Sequence, residues 1–342
     1  MRGLTGAGPG GREGERGAVI PLVALSLVAL LGMMALVVDV GSGWRTRRAL
    51  IPATDAGALA AAQDFVNGDD GCATTAAQYV TANEPTATLT GCDSEWYDSD
   101  HGRVTVTATE QVETWFAPVI GRGDYPVDAT TSVRWGPPSA VTGLRPIGLC
   151  IDGSAALEQV VRHPPSSATT IRISYSKDQP NACGGGPVPG NWGTIDFDGG
   201  ANSNADTKDW VLNGYPGAVH LADHAITSCV GEAHCYEGDT GALAGINSEL
   251  AILRASGDFF TLPVFDFAES PGANARFHLM GVLRVRLLDY KVNGPEAARF
   301  FELSVEPGLI TGVCCDGAGA TAGNRVIALC AVDPDGLDGC AP

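Results

Sequence analysis

Residues Ala18 to Val38, AVIPLVALSLVALLGMMALVV, carry no charge, and Asp39 closes the run. A helix of this length rises roughly 30 Å, the thickness of a bilayer's hydrocarbon core. A cleaved signal peptide would want a shorter apolar core with a small-residue site directly after it. The nearest such site, Ala58-Leu59-Ala60, lies a full helix beyond Val38, with Trp44, Arg45, Arg47 and Arg48 between them. A buried core helix is the other alternative, but a run interrupted only by Ser26 is unusual in a soluble domain. The expectation is therefore an uncleaved transmembrane helix over 18–38. Pro21 falls in its first turn, where a missing N–H costs little. Residues 1–17, rich in Gly and Arg and without an apolar period, read as a disordered cytoplasmic tail.

The flanking charges do not orient the span, because Arg2, Arg12 and Arg16 before it match Arg45, Arg47 and Arg48 after it. Cysteine usage decides. All ten cysteines lie downstream, an even number scattered through Gly- and Asp-rich sequence, as suits disulfides in an oxidising compartment. The N-terminus is placed inside and the C-terminal bulk outside, with Trp44 at headgroup depth and the arginines near phosphates. The formal charge is −18, and residues 1–50 hold six arginines against three acids, so the exported part is more acidic still. That surface excludes nucleic acid and anionic lipid as preferred partners.

After the span, RTRRALIPATDAGALAAAQDF has helical composition, with Ile51, Ala58, Ala62 and Phe65 close to one face. Pro52 is expected to kink or restart it, and Asn67 to Gly71 to end it. A short helix follows over 74–83, stopping before Pro85. The period then changes to two: Arg103-Val-Thr-Val-Thr-Ala-Thr and Val127 to Trp135 read as half-buried strands, separated by VETWFAPVIG and a turn at Gly121 to Pro126. Residues 39–136 form a helix-plus-small-sheet module and 137–143 a linker. Residues 144–342 form a strand-rich module, with strands near 144–151, 170–175, 194–197, 262–267, 276–289, 300–305 and 324–331. One helix is expected there, from Asp239 to Leu253, where Leu243, Ile246, Leu250 and Leu253 recur at helical spacing. The fold class is α+β.

The segment from Arg16 to Ala62 resembles the N-terminal part of TadE/TadG-like Flp pilus-assembly proteins. Arg16-Gly17, Asp39-Val40-Gly41, Arg47-Arg48, Asp55 and Ala58-Leu59-Ala60-Ala61-Ala62 carry the likeness. The pieces around Val104, Val112 to Gly121 and Trp135-Gly136-Pro137 are similar to the small module that follows in TadG-like members. Gly190 to Asp196 and Leu262 to Asp266 are similar more loosely. The apolar run lacks the Glu of pilin-like members, and Gly10 and Glu15 precede it, which favours the TadG-like branch. The resemblance implies a membrane-anchored, non-catalytic accessory of a bacterial pilus system. Its partners would be the bilayer, through one N-terminal helix, and other pilus-assembly or envelope proteins.

Several clusters invite chemistry. Asp152-Gly153-Ser154-Ala155-Ala156 imitates an Asp-x-Ser-x-Ser metal loop but lacks its second hydroxyl, and reads better as a strand-ending turn. His220, His224, Cys229, His234 and Cys235 are zinc-ligand types, but a Cys229–Cys235 disulfide would take both thiolates. Asp196, Asp198, Asn202, Asn204, Asp206 and Asp209 offer hard oxygens without EF-hand register, as does Asp333 to Gly339. An exported ligand- or calcium-binding protein is therefore the alternative function. Arg122-Gly123-Asp124 reads as a hairpin turn. No nucleophile elbow, P-loop or dinucleotide fingerprint occurs. No catalytic, cofactor or metal residue is assigned. Cys72–Cys92, Cys229–Cys235 and Cys330–Cys340 are the preferred disulfides. Adjacent Cys314 and Cys315 are expected to reach separate partners, Cys150 and Cys183 being left for them.

Overall fold

The structure, a computed structural model, describes residues 19–66, 71–96, 101–163, 165, 167–175, 183, 192–199, 204–238, 245–270, 275–315 and 322–330. The expected tail 1–17 lies outside these residues. So do Asn67 to Asp70, Gly190-Asn191, Asn202, Asp239, Leu243, Asp333 to Gly339 and Cys340.

A single helix, α1 (Val19–Val66), contains the whole apolar run and continues for 48 residues in all. Its apolar part is exposed apart from half-buried Ala35. The helix runs on through Pro52 without restarting. Pro52 and Arg48, whose carbonyl loses its intrahelical donor, are both exposed, so water can take the bond's place. Beyond the apolar run the helix turns one face inward: Leu50, Ala53, Thr54, Gly57, Ala58, Ala61 and Ala62 are buried at helical spacing. Ile51, expected on that face, is instead 42 % exposed.

Helix α2 (Cys72–Asn83) crosses this stripe where both helices carry small residues. A Cβ on Gly57 would stand 2.9 Å from Val80 Cγ2 and 3.2 Å from the Ala76 carbonyl, so glycine sets the approach. Both helices cover one face of an antiparallel sheet ordered β1 (Thr88–Trp96), β2 (Gly102–Val112), β3 (Tyr125–Gly136) and a strand from the far end of the chain, Val326–Leu329. The strict alternation of β2 puts Val104, Val106 and Ala108 into this core. Its other face carries hydroxyl pairs to β3: Thr105 with Ser132 at 2.9 Å and Thr107 with Thr130 at 3.0 Å. Such cross-strand pairs each contribute on the order of 0.2–1 kcal/mol. The Cys72–Cys92 disulfide staples α2 to β1 as expected. Thr131 joins α1 to β3, sharing a 2.8 Å bond with Thr54 and donating to Asp55 at 2.7 Å.

The stretch expected as a linker carries a strand, β4 (Pro138–Val141), in a three-stranded sheet between β8 (Val219–His220) and Gly312–Cys314. Among the described residues the larger sheet has eight strands, one of them the two-residue Ala322–Gly323. Strands β5 (Ile147–Cys150), β7 (Trp192–Asp196) and β9 (Cys235–Gly238) run between β10 (Phe259–Glu269) and β11 (Arg276–Lys291), and β10 also pairs with β11. That last pairing closes the path into a ring, and Ile195, Phe265 and Phe277 share one of its faces, the Phe265 and Phe277 ring centroids 4.9 Å apart. Gly193 and Gly238 leave room for Phe277, whose ring carbons would lie 2.6 and 2.7 Å from a Cβ at those positions. Strands β12 (Phe300–Val305) and β6 (Thr169–Ser174) extend the sheet.

Among the described residues three helices stand beside the sheet: α3 (Ala155–Arg162), α4 (Asn204–Asn213) and α5 (Asn247–Ser256). The first two were not foreseen. In the described residues α5 begins later than expected, but it buries Leu250 and Leu253, with Ile246 buried just before it.

Cys229–Cys235 is bonded as expected, and Cys330 is also disulfide-bonded. Two pairings correct the expectation: Cys150 bonds Cys183, and Cys314 bonds Cys315. The first follows from the β5–β10 pairing, which leaves Cys150 out of reach of Cys314 and Cys315, whose strand pairs with β4 in another sheet, and sets it opposite Phe265 on β10. Residue 183 docks on the same strand, its carbonyl accepting from Ala268 N–H at 2.7 Å.

Candidate functional site

The junction between the apolar helix and the first sheet is organised by Asp39. Helical side chains lean toward the N-terminus, so this carboxylate lies over the last apolar turn. Although it follows Val38, it is only 9 % exposed. It accepts from the backbone N–H groups of Trp115 at 3.0 Å, Phe116 at 3.2 Å and Ala117 at 2.7 Å. These amides open a 3₁₀ turn, Ala117–Ile120, where the first N–H groups have no partner within the turn and a carboxylate is the favoured acceptor. The Tyr125 hydroxyl donates to the Asp39 carbonyl at 3.3 Å. Gly43, one turn further on, makes room for it, since a Cβ there would overlap that hydroxyl. Asp124 closes the loop by accepting from Thr114 N–H at 2.9 Å.

The loop from β2 to β3 is thus strapped to α1 at the edge of the apolar run. Its outward side chains are apolar: Trp115 is 74 % exposed, Val119 84 % and Phe116 46 %. Trp44 on the helix is equally open. Nearby, an open groove of about 450 Å³ separates α1 from β2, with Ser42, Arg45 and Thr46 on one wall and Glu84, Glu110 and Glu113 on the other. The sequence placed Trp44, Arg45 and Asp39 at this boundary but missed the loop. Its signal was present in the apolar stretch VETWFAPVIG, which alternates with neither strand nor helix period.

The other candidate residues separate. Ser154 caps α3, its Oγ accepting from Leu157 N–H at 3.1 Å, and Asp152 pairs with Arg162 at 3.5 Å. The segment is a helix start, in keeping with the turn reading. Arg122-Gly123-Asp124 is spent on the hairpin, where Gly121 adopts φ 77°. Asp196 accepts from Asp198 N–H at 3.1 Å, whereas Asp206 and Asp209 belong to α4, and Asp209 accepts from Asn213 at 2.7 Å. Burial, with the neighbouring Asp198 carboxylate adding to it, pushes Asp196 up to about 6.

Of the histidine set, His220 bonds the Tyr236 hydroxyl through its backbone and stands apart. His224 and His234 both approach Glu232, His224 Nε2 at 3.3 Å and His234 Nδ1 at 2.8 Å. Glu232 is held down at about 2, first by the His234 backbone N–H and then by its ring. His224 is raised and Asp223 lowered by the bond between them. Cys229 and Cys235 are bonded to each other, and His278 and Asp266, which the sequence reading missed, complete this corner.

These features define a protein with one candidate membrane-spanning helix, a small sheet latched to that helix at the end of its apolar run, and a strand-rich C-terminal part with several disulfides. The Flp pilus-assembly TadE/G-like family model, Tad, matches residues 17–64, which is the length of α1 from the start of the apolar run nearly to its end. No curated protein and no solved structure matches the chain.

Proposed function

We propose that the chain is a single-pass, non-catalytic structural accessory of a bacterial Tad/Flp pilus-assembly system, with residues 1–17 cytoplasmic and the modules of 39–136 and 144–342 outside the membrane. The observation that carries this reading is the coincidence of the family match with one continuous helix, apolar in its first half and packed on a sheet in its second. In this reading α1 spans the bilayer, and the Asp39 latch transmits its position to the first sheet. Trp115, Phe116 and Val119 rest in the headgroup zone beside Trp44, where amphipathic aromatic side chains are favoured. The groove's acidic wall suits a basic segment of a neighbouring envelope protein. The disulfides support export, since thiols stay reduced in the cytoplasm.

The test is a membrane-impermeant thiol reagent applied to intact cells, before and after reduction, followed by crosslinking from the groove. Labelling only after reduction, with crosslinks to pilus-system proteins, is the expected outcome. Labelling that requires lysis but no reduction would reverse the topology, and crosslinks confined to unrelated proteins would remove the pilus assignment.

A further inference from the structure

Glu232, His234 and His278 each bring one ligand atom to a common point, the three atoms lying within 4.8 Å of one another. His278 is fully buried, and its Nε2 finds no hydrogen-bond partner among the described residues. A buried polar atom left unpaired costs on the order of 1–3 kcal/mol, so such an atom calls for a ligand. The other ring nitrogen is engaged: Nδ1 lies 2.6 Å from Asp266 Oδ1. A carboxylate accepting from Nδ1–H fixes the tautomer that leaves the Nε2 lone pair free, the arrangement by which carboxylates orient metal-bound imidazoles. His224 approaches the same Glu232 carboxylate from outside the group of three, its Nε2 at 3.3 Å and its ring centroid 6.0 Å from that of His278.

The scaffold holds these side chains independently of any ion. The Cys229–Cys235 disulfide closes the loop that carries Glu232 and His234, and Cys235 pairs with His278 in the β9–β11 register. The His234 carbonyl accepts from Leu279 N–H at 3.1 Å, and Cys229 is held by Glu269 and Arg276, each at 3.1 Å. Asp266 sits on β10, one strand away.

We infer that Glu232, His234 and His278 bind one divalent transition-metal ion, with zinc the best match and Asp266 the positioning residue behind His278. Two imidazoles and one carboxylate, with solvent in the fourth position, are a nitrogen–oxygen set that zinc takes in tetrahedral geometry, whereas calcium and magnesium prefer oxygen alone. The site needs no thiolate, so it is compatible with the disulfide beside it. Bound zinc would tie the 229–235 loop to β11. The inference does not depend on the pilus assignment or on the orientation of α1.

The test uses the full chain in detergent, stripped with a chelator and titrated with zinc chloride by calorimetry, with cobalt(II) as the optical probe. One saturable zinc per chain is expected, with a raised melting temperature and cobalt absorption bands of a four-coordinate site. Glu232→Gln and His234→Gln should each weaken zinc at least about tenfold, and Asp266→Asn about 10- to 100-fold. His278→Gln should abolish the cobalt bands, and His220→Gln should change nothing. Should His278→Gln fail to fold, the half-buried Glu232 and His234 variants carry the test. Zinc uptake that never saturates, or that is unchanged in Glu232→Gln and His234→Gln, would overturn the inference. So would a loss in His220→Gln equal to that in His234→Gln.

Discussion

Replacing Asp39 by alanine should undock the loop between β2 and β3 from α1 while leaving the sheet intact. Three backbone donors lose an anionic acceptor, at 2.7 Å in the shortest case. Buried hydrogen bonds to a charged group contribute roughly 1.5–3 kcal/mol each, and a lost helix cap costs about 1 kcal/mol. The loop is open enough for water to replace much of this, so we expect about 2–3 kcal/mol for the docking equilibrium as a whole. That corresponds to roughly 30- to 150-fold faster hydrogen exchange in amides 115–117, since each 1.36 kcal/mol is tenfold. Mass-spectrometric exchange on the full chain in lipid nanodiscs reads this directly from peptides spanning 113–121. Asp39→Asn, which keeps one acceptor oxygen, should fall between the two. Unchanged protection in that peptide would refute the latch. Acceleration spread evenly through β2 and β3 would mean that Asp39 supports the module generally and not this loop.

Three further outcomes follow from the geometry. Removing the Cys72–Cys92 staple by double alanine substitution frees a loop of sequence separation 20 and should cost about 3 kcal/mol. A proteolysis midpoint in urea that does not move would count against it. Gly57→Val should destabilise the α1–α2 packing by about 1–3 kcal/mol, because its β-carbon meets Val80 and the Ala76 backbone. Gly41→Ala, with nothing within 4 Å, should be neutral or stabilising, and equal midpoints for the two variants would contradict the close crossing. Because Asp196 is raised to about 6, the folded state binds its proton more tightly than the unfolded state. Its contribution therefore favours folding at low pH and is lost as pH rises from about 4 through about 6. Asp196→Asn should flatten that decline in a melting-temperature series, and parallel pH profiles for the two proteins would exclude it.

The boundary site was half legible. Asp39, Trp44 and Arg45 stood out because they end an apolar run, a property of adjacent residues. The loop that Asp39 grips lies 76–78 residues further along the chain and betrays itself only as an apolar stretch without a period. The histidine corner shows the same limit. Sequence proximity grouped His220 with His224, yet the backbone sends His220 to Tyr236 and brings in His278 from a distant strand.

What the sequence determined by itself was local: a helix long and apolar enough to span a bilayer, the two-residue alternation of β2 and β3, and disulfides between cysteines that flank a short element. Each reflects an environment that repeats along a few turns or pleats, so neighbouring residues report it. The tertiary structure alone decided the closing of β10 onto β11, the return of Val326–Leu329 to β3, the Cys150–Cys183 bond and the meeting of Asp266, His278 and Glu232. These depend on strand register. A shift of one residue would turn His278 to the opposite face of its sheet, and only the packing of the whole ring fixes that register.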